Sequence, residues 1–215
     1  MSFLSYGFVA LGGYLAGSLP TGYLAGLTRG VDIRTIGSGN IGATNVFRAL
    51  GPVAGALVLL VDAAKGFLAC WFLPRLALGL LPAPSDGPPD SSALAMTAGV
   101  AAILGHNYTC WLRFKGGKGV ATTAGVLLAL FPKAFLIALA VWLLVFALSR
   151  YVSLASISAA VALPFAVWFS RASAGLLILS ILLAAMAIYK HRSNIQRLLN
   201  GTEHRLGRPK PHHQP

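Results

Sequence analysis

The sequence predicts an all-α polytopic membrane protein with seven transmembrane helices, its N-terminus outside and its C-terminus cytoplasmic. Three observations predict it. The 215 residues are 56% apolar and only 10% charged, with a mean hydropathy of +0.73, whereas soluble domains carry about 25% charged residues. Seven apolar segments are separated by polar breaks, and the basic residues gather on alternate breaks. The composition excludes an ordinary soluble domain, a disordered chain and a fibrous repeat. Seventeen Lys and Arg against five Asp and Glu give a net charge of +12, which points to anionic partners: lipid head groups, phosphorylated substrates or nucleic acid.

The first apolar segment, Phe3 to Leu27, exceeds the roughly 20 residues that a bilayer crossing needs. No Lys or Arg occurs in the first 28 residues, so it reads as a span and not as a cleavable leader. Val53–Leu73 and Ala93–Cys110 follow, separated by a loop that gathers Pro74, Pro82, Pro84, Pro88 and Pro89. Val120–Phe131 is short for a crossing. It is either a separate helix ending at Pro132-Lys133 or the first half of one long helix reaching Ser149. Ala134–Leu148, Val152–Phe169 and Ala174–Ile188 complete the set.

Charge decides the count. With seven spans and the N-terminus outside, the inner breaks hold Arg29, Arg34, Arg48, Arg113, Lys115, Lys118, Arg150 and the six basic residues from Lys190 onward. Only Arg75, Lys133 and Arg171 lie outside. Six spans would move the last six basic residues across and abolish the asymmetry, so the positive-inside rule favours seven. Residues 1–204 then read as one membrane domain and 205–215 as a basic, disordered tail. The same topology puts Asp32–Arg48, Arg113–Lys118, Arg150–Ser156 and Lys190–Glu203 on the cytoplasmic face, where they are expected to form one site. No inverted internal repeat of the transporter kind is visible.

Four segments carry chemistry. Gly37-Ser38-Gly39-Asn40-Ile41-Gly42-Ala43-Thr44-Asn45, followed by Arg48, can point successive N–H groups into an anion-binding concavity. Ser38, Thr44 and Asn45 add neutral donors, and Arg48 a planar fork suited to phosphate. The other reading is a re-entrant turn that only lets helices pack. Arg113-Phe114-Lys115-Gly116-Gly117-Lys118-Gly119-Val120-Ala121-Thr122 interleaves glycines with lysines just before a helix, whose N-terminus favours anions. It is alternatively a basic loop that fixes topology. It is not a P-loop, because Leu112 and Gly119 stand where that motif needs Gly and Ser/Thr.

Ser153 and Ser156 share a helix face after Arg150, as packing hydroxyls or as ligands. If the last span continues as helix beyond Lys190, His191 and Asn194 share a face, either to act on substrate or as part of a lipid-binding basic helix. Within the second span, Asp62 and Lys65 must pair or line a polar cavity, since either charge alone is costly there. His106 is either a ligand or an interfacial residue. Cys70 and Cys110 supply no disulfide framework, and with His106, His212 and His213 scattered, no metal is expected.

At these residues the chain resembles the bacterial membrane glycerol-3-phosphate acyltransferases that use acyl phosphate as donor. The matching pieces are Gly17 to Tyr23, Asp32 to Arg34, Gly37 through Asn45 with Arg48, Asp62 to Gly66, Gly105-His106, Phe114 to Thr122, Arg150 to Ser156 and His191 to Glu203. The resemblance implies transfer of a fatty acyl group to the 1-hydroxyl of sn-glycerol 3-phosphate. The products would be lysophosphatidic acid and inorganic phosphate, in the first step of phospholipid synthesis at the cytoplasmic face of the bacterial inner membrane. It implies that Arg48, Lys118, Ser156, His191 and Asn194 hold glycerol 3-phosphate, with Ser38 and the Gly37–Asn45 loop near the reacting acyl phosphate. Ser38, Arg48, Lys118, His191 and Asn194 would carry the chemistry. Gly37, Gly39, Asn40, Gly42, Thr44, Asn45, Lys115, Gly116, Gly117, Gly119, Thr122, Ser153 and Ser156 would bind substrate.

No cofactor and no nucleic acid are implied. The expected partners are glycerol 3-phosphate, long-chain acyl phosphate, membrane lipids and the enzyme that makes acyl phosphate. Direct attack needs no acyl-enzyme, and the proton acceptor is either the donor phosphate or His191. The competing class is a transporter for a phosphorylated metabolite, against which stands the crowding of polar residues on one face. A lipid-binding scaffold would not need the glycine loops.

Overall fold

A computed structural model of the chain describes residues 3–82 and 87–207. Among these residues there are ten α-helices and no strand, the arrangement that lets apolar segments satisfy their backbone groups internally. Residues 83–86 of the proline-rich loop and 208–215 of the basic tail, with His212 and His213, lie outside the described residues. The chain divides into two compact units, Met1–Pro132 and Lys133–Pro215.

The first unit opens with α1 (Phe3–Ser18) and α2 (Thr21–Leu27), so the expected continuous span from Phe3 to Leu27 is broken. Pro20 lacks an N–H and drives the residue before it out of the helical region. The Leu19 carbonyl at the break accepts from Lys65 Nζ at 2.9 Å. A 3-10 turn, Ile33–Thr35, leads into the glycine loop and then α3 (Ala43–Leu50) and α4 (Pro52–Leu80). α4 runs seven residues past the expected end at Leu73, continuing through Pro74. Arg75 there donates to the Trp71 carbonyl, and its guanidinium lies 4.4 Å from the Trp71 ring centroid.

α5 (Ser91–Asn107) is N-capped by Asp90, which accepts from Ser92 N at 2.8 Å. It stops three residues before the expected Cys110, which instead opens a second 3-10 turn. α6 (Val120–Leu130) is a separate short helix, which settles that alternative: Pro132 stands just beyond its end and cannot continue its hydrogen bonding.

Close backbone approach organises this unit. α1 meets α5 where Gly13 and Gly17 lie against the Ala98 and Ala102 carbonyls, and Gly105 against the Tyr14 carbonyl. α4 meets α6 where Gly66 lies against the Thr122 carbonyl and Gly125 against that of Ala63. This is small-residue packing, which compensates for the weak hydrophobic drive between helices in lipid. Buried Ile33, Ile41, Val46, Val58 and Leu112 form a core that seats the glycine loop on α3 and α4.

The second unit holds α7 (Pro132–Ser149, entering from the first unit's last residue), α8 (Val152–Phe169), α9 (Ala174–Lys190) and α10 (Arg192–Leu199). α8 has the expected bounds. α9 and α10 are bent by 58° at their junction, and both pack on α8. Among the described residues, α4, α7 and α8 are long and apolar enough to cross a membrane, and α9 with α10 would make a fourth crossing if taken as one bent span. Outward-facing Leu57, Leu60, Leu144, Phe165 and Leu182 form the apolar exterior that a lipid surround requires.

Candidate active site

In the first unit, Gly37 and Gly39 adopt φ of +61° and +67°, the left-handed region that side chains resist. Gly42 is extended, with φ −75°, and caps α3. The loop is pinned from beneath by Asn45, which is 2% exposed. Its Oδ1 accepts from Ser38 N at 2.9 Å, and its Nδ2 donates to the carbonyls of Ile33 at 3.1 Å and Ile36 at 2.9 Å. Both donor hydrogens are thus committed to the loop. Asn40 Oδ1 likewise accepts from Gly42 N at 2.9 Å. The asparagines shape the loop, while Ser38 stands exposed and Thr44 half-buried on it. Arg48 follows one turn into α3, half-buried. Replacing Asn45 by Ala would remove three hydrogen bonds and leave the Ser38 N–H without its acceptor, while the Ile33 and Ile36 carbonyls keep the Ile36 and Gly39 amides. A stability loss of about 1–3 kcal/mol is therefore expected, read by thermal melting.

Beside this loop, Asp32 accepts from Arg34 Nε at 2.9 Å and Nη2 at 2.6 Å, and the guanidinium lies 4.6 Å from the Tyr23 ring centroid. The hydrogen bond from the Arg34 side chain holds the Asp32 carboxyl at a pKa of about 2. The pair therefore persists until the pH falls toward that value.

The second glycine loop lies on the end of α5. Gly117 N donates to the His106 carbonyl at 2.9 Å and Gly116 N to the Asn107 carbonyl at 3.2 Å. Gly119, at φ +80°, turns the chain into α6 against the buried Asn107 side chain. Lys115 is exposed and Lys118 half-buried, and Thr122 is buried in the first turn of α6. Asp62 and Lys65 do pair, at 2.8 Å.

In the second unit, α8 and α10 meet around Glu203, whose side chain is 4% exposed. Its Oε1 accepts from Asn194 Nδ2 at 2.9 Å and Ser153 Oγ at 3.1 Å, and its Oε2 from Arg197 Nε at 2.8 Å. Burial alone would raise this carboxyl's pKa. The bonds from Asn194, Arg197 and Ser153 outweigh it and hold the group below the usual carboxylate range. Ser156 Oγ donates to the Val152 carbonyl at 2.8 Å and accepts from Trp142 Nε1 at 3.1 Å. His191 Nδ1 lies 2.8 Å from the Ala187 carbonyl. A carbonyl only accepts, so Nδ1 carries the hydrogen and Nε2 is the basic nitrogen of the neutral ring.

So the structure joins Ser153 and Asn194 through Glu203 at the α8–α10 contact and sets His191 at the bend between α9 and α10, one turn before Asn194. It places Gly37–Arg48 and Lys115–Thr122 in the first unit. Sequence reasoning missed Glu203 as an organiser, although one of only five acidic residues in so basic a chain is itself a signal. It also missed Asn107. Among the described residues no group of three or more His, Cys, Asp or Glu could hold a metal ion.

The family model for glycerol-3-phosphate acyltransferase matches residues 7–201. That interval contains both glycine loops and the His191–Asn194 helix. The chain belongs to the glycerol-3-phosphate acyltransferase family. A glycerol-3-phosphate acyltransferase of Geotalea daltonii is 47% identical over 193 residues, covering 90% of this chain and 93% of its own. That of Desulforamulus reducens is 44% identical, covering 94% and 96%. Two crystal structures of PlsY (YgiH), described as an integral membrane glycerol 3-phosphate acyltransferase, align over 94% of this chain and 96% of theirs. The glycerol 3-phosphate form has a TM-score of 0.84 at 40% identity, and the lysophosphatidic acid form 0.82 at 39%. Membership of the acyltransferase family and the apolar helices together make this an all-helical, multi-pass membrane protein, and they give the transporter reading no support.

Proposed function

We propose that the protein transfers a fatty acyl group from a long-chain acyl phosphate to the 1-hydroxyl of sn-glycerol 3-phosphate. The hydroxyl oxygen attacks the acyl carbonyl carbon and the carbon–oxygen bond to the donor phosphate breaks. Lysophosphatidic acid and inorganic phosphate leave. The observation that carries this reading is the close likeness, over nearly the whole chain, to a protein solved in both glycerol 3-phosphate and lysophosphatidic acid forms.

Arg48 and Lys118 are assigned to offset phosphate charge, Ser38 and the Gly37–Gly42 backbone to the acyl phosphate, and Ser156, His191 and Asn194 to glycerol 3-phosphate. Two anions must be brought together, so charge screening and alignment supply much of the rate. An acyl phosphate has a good leaving group, and the departing phosphate takes the hydroxyl proton. The proposed topology keeps seven spans with the N-terminus outside, α1 and α2 together forming the first, in the bacterial inner membrane with the chemistry on the cytoplasmic side. The enzyme that produces acyl phosphate is the expected partner.

The test is formation of lysophosphatidic acid from labelled glycerol 3-phosphate by purified protein given palmitoyl phosphate, with phosphate release followed alongside and palmitoyl-CoA replacing the donor in parallel. Labelled product and phosphate that require both substrates, and no labelled product with the CoA donor, are expected, as is a fall of about 10²–10³-fold in Arg48→Ala, the magnitude of losing one preorganised charge-stabilising donor. Activity with palmitoyl-CoA would overturn the donor assignment. His191→Gln is expected to keep the shape of the pH–rate profile. Loss of its near-neutral limb would make His191 the proton acceptor instead.

A further inference from the structure

A buried charged cluster lies outside every residue assigned above. Asp62 Oδ1 sits 2.8 Å from Lys65 Nζ and 3.6 Å from His106 Nδ1, and accepts from Thr21 Oγ1 at 3.1 Å. Lys65 also donates to the Leu19 carbonyl that the Pro20 break exposes. The three charged or titratable side chains are all under 10% exposed. Such a cluster is expensive in an apolar unit, and a hydrophobic trio would pack these helices more cheaply. A structural pair alone does not account for the third member, His106.

We propose that Asp62, Lys65 and His106 position the Lys115–Gly119 loop, and through it the Lys118 ammonium, with the His106 ring as the bearing surface. Gly117 approaches that ring so closely that a β-carbon would overlap Nε2. The same residue's amide bonds to the His106 carbonyl, and the Gly116 amide to that of Asn107. The loop thus touches His106 through both backbone and ring, and the ring's other nitrogen faces Asp62 on α4. On the far side of the loop, α6 also rests on α4, at Gly66 and Gly125. Asp62 therefore fixes the α5 end of the loop to the helix that carries its α6 end. A displacement of about 1 Å at such a loop is enough to lower turnover up to 100-fold.

The functional half of this inference rests on the acyltransferase reading; the positional half does not, and the experiment separates them. Hydrogen exchange is measured on full-length wild type, His106→Ala and Gly117→Ala, alongside KM and kcat for glycerol 3-phosphate. Peptides covering 115–119 should exchange at least about tenfold faster in both variants, while those in the separate buried cluster that Val9 of α1, Ala77 of α4, and Leu94 and Ala98 of α5 form keep wild-type protection. KM for glycerol 3-phosphate should rise about tenfold or more. In the Lys118→Ala background, His106→Ala should add less than about twofold, because both act through one group. Unchanged loop exchange in His106→Ala, or loop and core loosening together, overturns the proposal. If His106→Ala does not fold, Gly117→Ala alone carries the same two outcomes, since it disturbs the contact without touching the buried charges. Wild type that is inactive yet shows the exchange pattern would keep the positioning device and remove the acyltransferase reading.

Discussion

Glu203→Gln is expected to destabilise the protein by about 2–3 kcal/mol and to abolish most activity. The carboxylate is nearly sealed from solvent and takes three donors, from Asn194, Ser153 and Arg197. The amide that replaces it has one acceptor oxygen, so an N–H group must face a donor already in place. Breaking a buried pair from one side costs about 3–5 kcal/mol. The lower figure applies here because Arg197 is 38% exposed and water can take over its charge. A melting temperature lower by about 5–10 °C is the expected reading. Activity falls for a separate reason: the Asn194 amide then faces a neutral amide in place of the carboxylate that holds it, one helical turn from His191.

Acid should reproduce the defect without mutation. Glu203's folded pKa lies below its ordinary value, so its contribution is complete above that ordinary value and fades as pH falls through the folded one. Glu203→Gln should flatten the acid limb of a melting-temperature profile. A profile identical to wild type would show that the carboxylate does not govern acid stability.

The helical, membrane-embedded class was legible because it rests on composition, and composition needs no contacts. Element bounds were legible where a local rule stood behind them. Val152–Phe169 is flanked by Arg150-Tyr151 and by Ser170-Arg171, and α6 ends just before Pro132. Pro20 carried the same local rule, yet the apolar run on either side outweighed it in a length-based reading. α4 passed its expected end because Pro74 and Arg75 look like loop residues in sequence, while the helix tolerates them and Arg75 folds back onto Trp71. The glycine loops were recognisable as loops. The division of labour inside them was not: Asn45 resembles a ligand in sequence, and only the positions of the Ile33 and Ile36 carbonyls reveal it as a brace. Glu203 was hidden for the same reason, since its three partners come from residues 153, 194 and 197.

Glycine 7 and glycine 17 of α1 look equivalent in sequence, and the same substitution at each is expected to have opposite signs. A β-carbon at Gly7 meets nothing within 4 Å, so Gly7→Ala only removes backbone entropy from the unfolded chain and should stabilise by about 0.5–1 kcal/mol. At Gly17 the added carbon overlaps the carbonyl oxygen, carbonyl carbon and Cα of Ala102. Those are backbone atoms of α5, so no rotamer can move them aside; the helices must part. Parting also strains the hydroxyl bonds that clasp the same seam, Tyr14 Oη to the Tyr108 carbonyl at 2.7 Å and Thr109 Oγ1 to the Ser18 carbonyl at 2.5 Å. Gly17→Ala should therefore destabilise by about 2–3 kcal/mol, a difference of roughly 3 kcal/mol between two glycine-to-alanine changes in one helix. The displaced end of α5 carries His106 and Asn107, whose carbonyls hold the second glycine loop, so Gly17→Ala should also raise KM for glycerol 3-phosphate. Parallel melts of the two variants decide it: equal melting temperatures would mean that the α1–α5 seam is not the close-packed contact on which the lysine loop is built.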